Sequence, residues 1–441
     1  MSAEPAPAAQ RGPPAVVTGL SHDGRGIARF NGKTLFIEDA LPGEEVVFRV
    51  LRRRKDYDEA EIREVVKPSP ARVTPLCPHY GICGGCVLQH MDPMAQVAAK
   101  QQALLENLKR IGSVEPREVL APLTGPFWGY RRRARLSAFR SPSGKVFVGF
   151  TERRRHRVTD LHGCDVLDQK LAGLLQPLSV LFSGLSIADR IPQIEAVAGD
   201  ELTVLSLRVL GEPTAADREA LAAFERGQGI RFYLQPAKAD STRPLTGTPP
   251  DLHYRLPESG VDIAFLPPDF IQVNGEVNRR LVELALAELD AQPGDKALDL
   301  FCGLGNFTLP LAKCAASVTG VEGEAGLVVR ARKNAERNGI GNAAFQQADL
   351  FAETQAGDWS RGRYQRILLD PPRAGAREII AQFPRFKAER IAYVSCHPAT
   401  LARDAKILVE EQGYTLLKAG VLDMFPHTAH VESIALFGRE A

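Results

Sequence analysis

Ser395-Cys396-His397-Pro398 follows a run of strand-forming residues, Arg390 to Val394, and puts a thiol at the carboxyl end of a strand. A thiolate is a soft, reversible nucleophile suited to conjugate addition. Carbon 5 of a pyrimidine calls for such a group, because it is not nucleophilic until something adds to carbon 6. Once carbon 5 has accepted a methyl group its proton must leave, so a general base is needed on the same face. His430-Val431-Glu432-Ser433 offers two bases, His430 and Glu432, which period-two alternation points to one side of a strand. Glu432 is preferred, since His430 can equally orient RNA or satisfy a backbone carbonyl. A cysteine at a strand end is by default a small buried apolar residue, so the case for Cys396 rests on its neighbours. Cys302, in a glycine turn, and Cys314, on an expected helix, are read as structural.

Those neighbours form a cofactor site. The apolar strand Lys296 to Phe301 runs into Cys302-Gly303-Leu304-Gly305-Asn306 and then into a helical stretch starting near Thr308. Strand, glycine turn and helix make a nucleotide-binding arrangement, but the third glycine of a dinucleotide fingerprint is missing, which disfavours a pyrophosphate. A second strand, Ser317 to Glu322, ends in an acid placed for two ribose hydroxyls. Asp349 follows Ala343-Ala344-Phe345, and Asp370 follows Arg366 to Leu369. Asp299, Glu322, Asp349 and Asp370 thus end or follow four successive strands, where doubly wound sheets bind ligands. Each alone reads as a helix cap. Together with the turn they point to S-adenosylmethionine.

A third group lies near the N-terminus. Cys77, Cys83 and Cys86 come from one loop in which Gly84-Gly85 leave backbone amides open to sulfur. The fourth ligand is expected from Cys164, the one other cysteine outside the sheet domain. Three clustered cysteines with a distant fourth favour an iron-sulfur cubane over zinc, which more often takes two paired knuckles.

The elements that must position these groups follow from the remainder of the 441 residues. With 44% hydrophobic and 24% charged residues the chain has an ordinary globular composition, which excludes disorder, collagen and coiled coil. No stretch approaches the 18 consecutive apolar residues of a membrane helix, and seven cysteines are too few for a disulfide scaffold, so a soluble cytoplasmic protein is expected. The formal net charge of +2 conceals a local imbalance: residues 128–157 hold ten basic residues against Glu152 alone, a net +9. Apolar residues alternate through this segment, as in Val146-Phe147-Val148, so the arginines are expected to project from a hairpin that suits a phosphate backbone. Five short strands between residues 15 and 67 predict a small barrel. Its ten basic and ten acidic residues cancel, so nucleic-acid affinity there would need charge segregation, and the basic run Arg52 to Lys55 is placed in a loop.

The resulting organisation is a flexible tail (1–14), a barrel (15–67), a central α+β domain (68–91 with 125–267) and an α/β Rossmann-like methyltransferase domain (92–124 with 268–441). In this order the motifs Phe270-Ile271-Gln272-Val273-Asn274, Asp299-Leu300-Phe301-Cys302-Gly303, Asp370-Pro371-Pro372-Arg373, Ser395-Cys396-His397-Pro398 and His430-Val431-Glu432 resemble those of the RNA 5-methyluridine (uracil-C5) methyltransferases over nearly the whole chain. The resemblance implies a TRAM-type, OB-like barrel and a 4Fe-4S cluster on Cys77, Cys83, Cys86 and Cys164. It also implies S-adenosylmethionine bound by Gln272, Phe301, Asn306, Glu322, Asp349 and Asp370, with Cys396 as nucleophile and Glu432 as base. His397 departs from the family, many of whose members have Asn there.

Possession of both barrel and cysteine cluster implies the branch that methylates the uridine numbered 1939 in 23S ribosomal RNA, since the tRNA enzymes are expected to lack both. No membrane and no obligate protein partner are expected. The alternatives are a dual-site 23S or tRNA uracil-C5 methyltransferase, and an iron-sulfur RNA-binding protein with a vestigial methyltransferase domain. Cytosine-C5 enzymes place their cysteine after a proline in the preceding loop, where Pro371-Pro372 here leads to Arg373. An amino-group methyltransferase would have an aromatic residue at that position and leave Cys396 idle.

Overall fold

The computed structural model describes residues 14–238, 241–353 and 356–439. The expected tail lies outside them except for Pro14. The chain divides into two compact units, residues 1–81 with 85–99 and 427–430, and residues 82–84 with 100–426 and 431–441. The sequence partition had three folded domains. Among the described residues no helix is long and apolar enough to cross a membrane.

The first unit contains the barrel. Strands β1 (Ala15–Leu20), β2 (Gly26–Phe30), β3 (Lys33–Glu38), β4 (Glu45–Arg53) and β5 (Tyr57–Lys67) close in the order β1-β2-β3-β5-β4. Alternation dictates the core: Ala15, Val17, Leu35, Ile37, Val46 and Ala60 all point inward. Asn31 and Gly32, both at positive φ, make the two-residue β2–β3 hairpin turn. The basic run is only half in a loop: Arg54 and Lys55 lie between β4 and β5. Arg52 and Arg53 belong to β4 and pair across the ladder with Glu59 and Asp58, while Arg49 meets Glu61 at 2.5 Å. Opposite charges directly across a ladder stabilise it, and the barrel's charge is therefore interleaved, not segregated.

The helix Pro93–Arg110 follows, with Val97, Leu104 and Leu108 buried along one face, and then the short strand β6 (Glu118–Val119). In the second unit a six-stranded sheet is built from β7 (Arg133–Arg140), β8 (Val146–Gly149), β9 (Gln193–Ala198), β10 (Thr203–Arg208), β11 (Ile230–Gln235) and β12 (Arg243–Pro244), in the order β12-β11-β10-β9-β7-β8. Helices Gln169–Ala172, Leu175–Ser183 and Ala215–Gln228 start at the caps Asp168, Leu174 and Thr214; Thr214 forms a capping box with Asp217. Leu171, Leu175, Leu178, Phe182 and Leu221 share one core with the inward residues of the sheet, and Cys83 and Cys164 pack against that same core. The hairpin β13 (His253–Leu256) and β14 (Val261–Ala264) leads to the last sheet.

That sheet has the parallel strands β15 (Lys296–Leu300), β16 (Ser317–Glu322), β17 (Ala343–Gln347), β18 (Arg366–Leu369) and β19 (Arg390–Ser395), then β20 (Thr415–Leu422) and β21 (Glu432–Gly438). The order is β17-β16-β15-β18-β19-β21-β20-β6, with β21 antiparallel to β19. Continuous apolar runs such as Ile391 to Val394, fully buried, are what a parallel sheet covered on both faces requires.

The +9 segment forms the expected hairpin, with Ser137 to Arg140 pairing with Gly149 to Val146. Its arginines do not all project to solvent. Arg132 is buried, donates from Nε to the Gln272 carbonyl at 2.9 Å, and lies 4.6 Å from the Tyr254 ring centre. Arg133 donates to the carbonyls of Pro267 and Asp269. These cations pin the hairpin to the segment 267–274, and the exposed positive charge lies further along, at Arg140 and at Arg154 to Arg157.

Candidate functional site

A cavity of about 520 Å³ opens at the carboxyl edge of the last sheet, where β15 has β16 and β17 on one side and β18 and β19 on the other. This is the switch point at which doubly wound sheets bind ligands. Phe301 to Phe307 enter it after β15, Glu322 from the end of β16, Asp349 to Phe351 after β17, Asp370 to Arg373 after β18 and Cys396 after β19. Phe270, Ile271 and Gln272 line another wall.

Every donor-binding residue expected from the sequence lines this cavity: Gln272, Phe301, Asn306, Glu322, Asp349 and Asp370. Glu322 accepts from the Gly303 amide at 3.1 Å and the Glu324 amide at 3.0 Å, which fixes its carboxylate at the glycine turn. Asp349 accepts from the Phe351 amide at 3.0 Å. Phe301 sits at φ 63°, strained for an aromatic residue, and its ring packs 5.7 Å from that of Phe351. Asn306 exchanges two 3.0 Å hydrogen bonds with Asn278 and accepts a third from Tyr254, leaving one amide hydrogen for a ligand. Asp299 does not reach the cavity surface. It lies within β15, fully buried, and accepts from Thr308. The helix begins at Thr308 as expected but runs only to Ala312.

The expected nucleophile and base are brought to one place by the strands that carry them. The β19–β21 pairing ends at Ser395 and Ser433; Cys396 directly follows β19 and Glu432 is the first residue of β21, so the two groups lie at the same end of this strand pair. Both line the cavity. His430 does not share this placement: β21 begins at Glu432, so His430 precedes the strand, and period-two alternation does not extend to it.

Carboxyl groups dominate the electrostatics of the site. Burial and the nearby charges of Glu432 and Asp370 raise the Cys396 thiol to about 11, opposed by Arg373. Glu432 is pushed up to about 8 by burial and Asp370, opposed by Arg373 and Lys100. Burial carries Asp370 to about 7. Asp299 also reaches about 7, through burial, with Asp370 adding to the shift. Clusters of this kind, in a cleft and shifted by a stated cause, mark reactive sites. Lys100 and Arg373 are the cations that moderate it. Lys100, 5% exposed, donates to Asp423 at 2.7 Å and to the Phe425 carbonyl at 3.0 Å.

A buried lock holds β19 and the helix that follows Cys396 to the loop that carries Arg373. Asp404, in the helix Pro398–Lys406, accepts from Tyr393 of β19 at 2.7 Å and from the Ala376 amide at 2.8 Å. A Cβ on Gly375, at φ 81°, would come within 2.6 Å of that carboxylate. His397 is the cap of this helix, its Nδ1 accepting from the Thr400 amide at 3.3 Å. An imidazole nitrogen thereby takes the role that an Asn side chain fills at such a position.

Sequence reasoning missed Lys100, Tyr254, Phe351 and Asp404, and named Arg373 only within a family motif and as evidence against other enzymes. Lys100 had a visible signal: it interrupts the apolar stripe Val97, Leu104, Leu108 at helical spacing. Cys302 is buried and its thiol is raised far above the usual range, as a structural residue should be. Cys314 is exposed beyond the end of its helix, so core packing does not account for it.

The cysteine cluster presents a partial arrangement. Cys83 forms an antiparallel bridge with Glu152, and a Cβ on Gly84 would lie 2.7 Å from the Thr151 carbonyl oxygen, so only glycine allows this approach. Arg131 bridges to Leu167, three residues after Cys164. Cys83 and Cys164 therefore flank the two ends of the basic segment on one core. Among the described residues no group of three or more Cys, His, Asp or Glu side chains is assembled as a metal site.

Comparison with known proteins fits this geometry. A family described as tRNA (uracil-5-)-methyltransferase matches residues 94–440, and the TRAM domain matches residues 14–62. The 23S rRNA (uracil(1939)-C(5))-methyltransferase RlmD of Xanthomonas oryzae pv. oryzae is 50% identical over 96% of this chain and 96% of its own. The protein of the same name from Alkalilimnicola ehrlichii is 51% identical over the same shares. Among solved structures, the Pyrococcus abyssi tRNA (uracil-54, C5)-methyltransferase in complex with S-adenosyl-L-homocysteine superposes with a TM-score of 0.73 at 25% identity, covering 96% of this chain and 100% of that one. A match so extensive must run through the barrel residues, so the barrel does not separate rRNA enzymes from tRNA enzymes as the sequence argument had it.

Proposed function

The chain belongs to the tRNA (uracil-5-)-methyltransferase family, and on that premise we propose that it is an S-adenosylmethionine-dependent enzyme that methylates carbon 5 of a uridine in 23S ribosomal RNA, the position numbered 1939 in the relatives' names. The observation that carries the reading is that Cys396 and Glu432, next to the last paired residues of β19 and β21, line the donor cavity together. Half the sequence shared over almost the entire length favours the ribosomal substrate over the tRNA substrate of the Pyrococcus enzyme.

The chemistry follows from the side chains. A duplexed uridine must leave its stack to reach the cavity. Cys396 Sγ, its proton passed to solvent, adds to carbon 6, and the electron pair of the 5,6 double bond moves toward carbon 5, making that carbon nucleophilic. S-adenosylmethionine, when bound, would supply an electrophilic methyl group to that carbon, its sulfonium leaving as the thioether of S-adenosylhomocysteine. Glu432 then takes the proton from carbon 5, the pair returns to the 5,6 bond, and the carbon–sulfur bond breaks to release Cys396 and 5-methyluridine. The resting thiol, near 11, is mostly protonated at neutral pH, which keeps it inert until substrate arrives. Gln272, Phe301, Asn306, Glu322, Asp349 and Asp370 hold the donor, with Glu322 placed for ribose hydroxyls.

The second part of the reading concerns Cys77, Cys83, Cys86 and Cys164, which hold a 4Fe-4S cluster. Cys83 and Cys164 on one core, with Gly84 admitting a close backbone approach, support it. The chemistry of four thiolates suits iron-sulfur ligation. Anaerobic purification should yield about four irons and four acid-labile sulfides per chain, and a Cys164→Ser variant that retained them would remove this part of the proposal.

The function is tested with 5-fluorouridine-substituted ribosomal RNA. Fluorine cannot leave as a proton, so elimination stalls. Mass spectrometry should find a methylated RNA adduct on the Cys396 peptide; bound RNA without an adduct would overturn the mechanism.

A further inference from the structure

The β7–β8 hairpin carries an aromatic feature that the reaction does not use. Phe139 and Phe147 are cross-strand partners, with ring centres 6.5 Å apart and planes tilted by 48°. Phe139 is 51% exposed, while the inward residues of the same strands, Leu136, Val146 and Val148, are 1% or less. The hairpin thus buries its aliphatic side chains and leaves Phe139 exposed and Phe147 half-buried on the other face, the reverse of what burial alone would choose. Cations surround the pair. Lys145 Nζ lies 5.4 Å from the Phe147 ring centre. Arg135, 71% exposed, projects from the same face of β7 as Phe139, and Arg140 is exposed beside it.

One exposed and one half-buried ring within a segment of net +9, where Lys145 and Arg135 are paired with Asp160 and Glu195 while Arg140 is exposed, match a ligand that offers flat faces and negative charge together. Single-stranded nucleic acid has both, since every base has a π-face and every linkage a phosphate. A duplex presents the charge but keeps its base faces stacked, and an acidic peptide lacks the faces. Resting on the assignment of an RNA substrate above, we propose that Phe139 and Phe147 form a stacking platform for one unpaired base of the ribosomal RNA, outside the catalytic cavity, with Lys145 and Arg140 contacting the adjoining phosphates.

The fold gives this platform a defined relation to the chemistry. Arg132 and Arg133 bind the first turn of β7 to the backbone of Pro267, Asp269 and Gln272, and Gln272 lines the cavity. Phe139 lies six residues beyond Arg133, roughly 20 Å along an extended strand. The base it holds is therefore a neighbour several nucleotides from the flipped uridine, and the platform sets which uridine reaches Cys396.

The test compares Phe139→Ala, Phe139→Trp and the double variant Phe139→Ala/Phe147→Ala on a single-stranded ribosomal RNA fragment containing the target. Removing a base-stacking ring weakens such complexes by roughly five- to a hundredfold. The alanine variants should lose affinity in that range and raise KM in parallel, with kcat at saturating RNA within about twofold. Tryptophan should restore affinity. The slope of log Kd against log salt should stay unchanged in Phe139→Ala but fall by about one in Arg140→Ala. Unchanged affinity in the double variant, equal loss on a fully duplexed RNA, or equal loss in Phe139→Trp would each overturn the platform. A wild-type protein that leaves the fragment unmethylated would instead refute the assigned function.

Discussion

The catalytic cavity and the basic hairpin handle charge in opposite ways. In the cavity, like charges are crowded out of water: Asp299, Asp370 and Glu432 share a buried region and rise to about 7, 7 and 8. Only Arg373 and Lys100 lower Glu432, and neither cancels the shift. In the hairpin segment the excess charge is positive, and the fold disperses it. Arg132 and Arg133 are spent on backbone carbonyls, Arg135 meets Glu195 at 2.5 Å, and Lys145 meets Asp160 at 2.6 Å. Concentrated charge creates reactive groups with displaced proton affinities, while dispersed charge creates a surface that holds a polyanion without committing to one contact.

That contrast is open to direct attack. Cys396→Ala should reduce turnover to background while RNA binding, measured by filter retention, stays near wild type; loss of binding instead would mean that the cavity also supplies grip. Glu432→Gln should lower kcat by about 10²–10⁴ and leave RNA attached to Cys396, seen as a slow band on a denaturing gel, because addition and methyl transfer precede the step it serves. Arg373→Ala removes the cation that opposes the upward shift of both groups, so the alkaline rise of the pH–rate profile should move to higher pH, and Arg373→Lys should return part of it. Arg155→Ala/Arg157→Ala, on the exposed end of the basic segment, should weaken RNA binding severalfold, reduce the salt slope by about two and leave kcat unchanged. Arg52→Ala in the barrel should have the smallest effect, under about twofold in affinity, since its charge is already answered across the ladder by Glu59.

What could be read from the sequence depended on whether the information was local. The four acids following successive strands, the glycine turn and the strand ending at Cys396 are all consequences of short segments, and the structure puts Glu322, Asp349, Asp370 and Cys396 on one cavity. Glu432 was singled out by an alternation argument that also promoted His430; what distinguishes them is the start of β21, set by pairing with a distant strand. Lys100 showed only as a break in an apolar stripe and Asp404 not at all, because their roles exist only across elements separated by hundreds or tens of residues, as in Lys100 to Asp423 and Asp404 to Ala376. The hairpin itself was legible from its alternation, but the direction of its arginines was not, because burial of Arg132 depends on the Gln272 carbonyl and the Tyr254 ring waiting for it. The choice between rRNA and tRNA came from overall identity, not from domain content.

The buried acids also bear on how long the protein lasts. Each has a folded-state proton affinity above its ordinary value of 3.8 or 4.5, so between about pH 4 and pH 8 the folded chain holds more protons than the unfolded one. Their contribution to folding is complete below about pH 4, declines as the pH rises above that, and is fully lost above about pH 8. The base, by contrast, is ionised only above about 8. The pH that readies Glu432 to accept a proton is therefore also the pH at which the three buried acids around the cavity contribute least to folding.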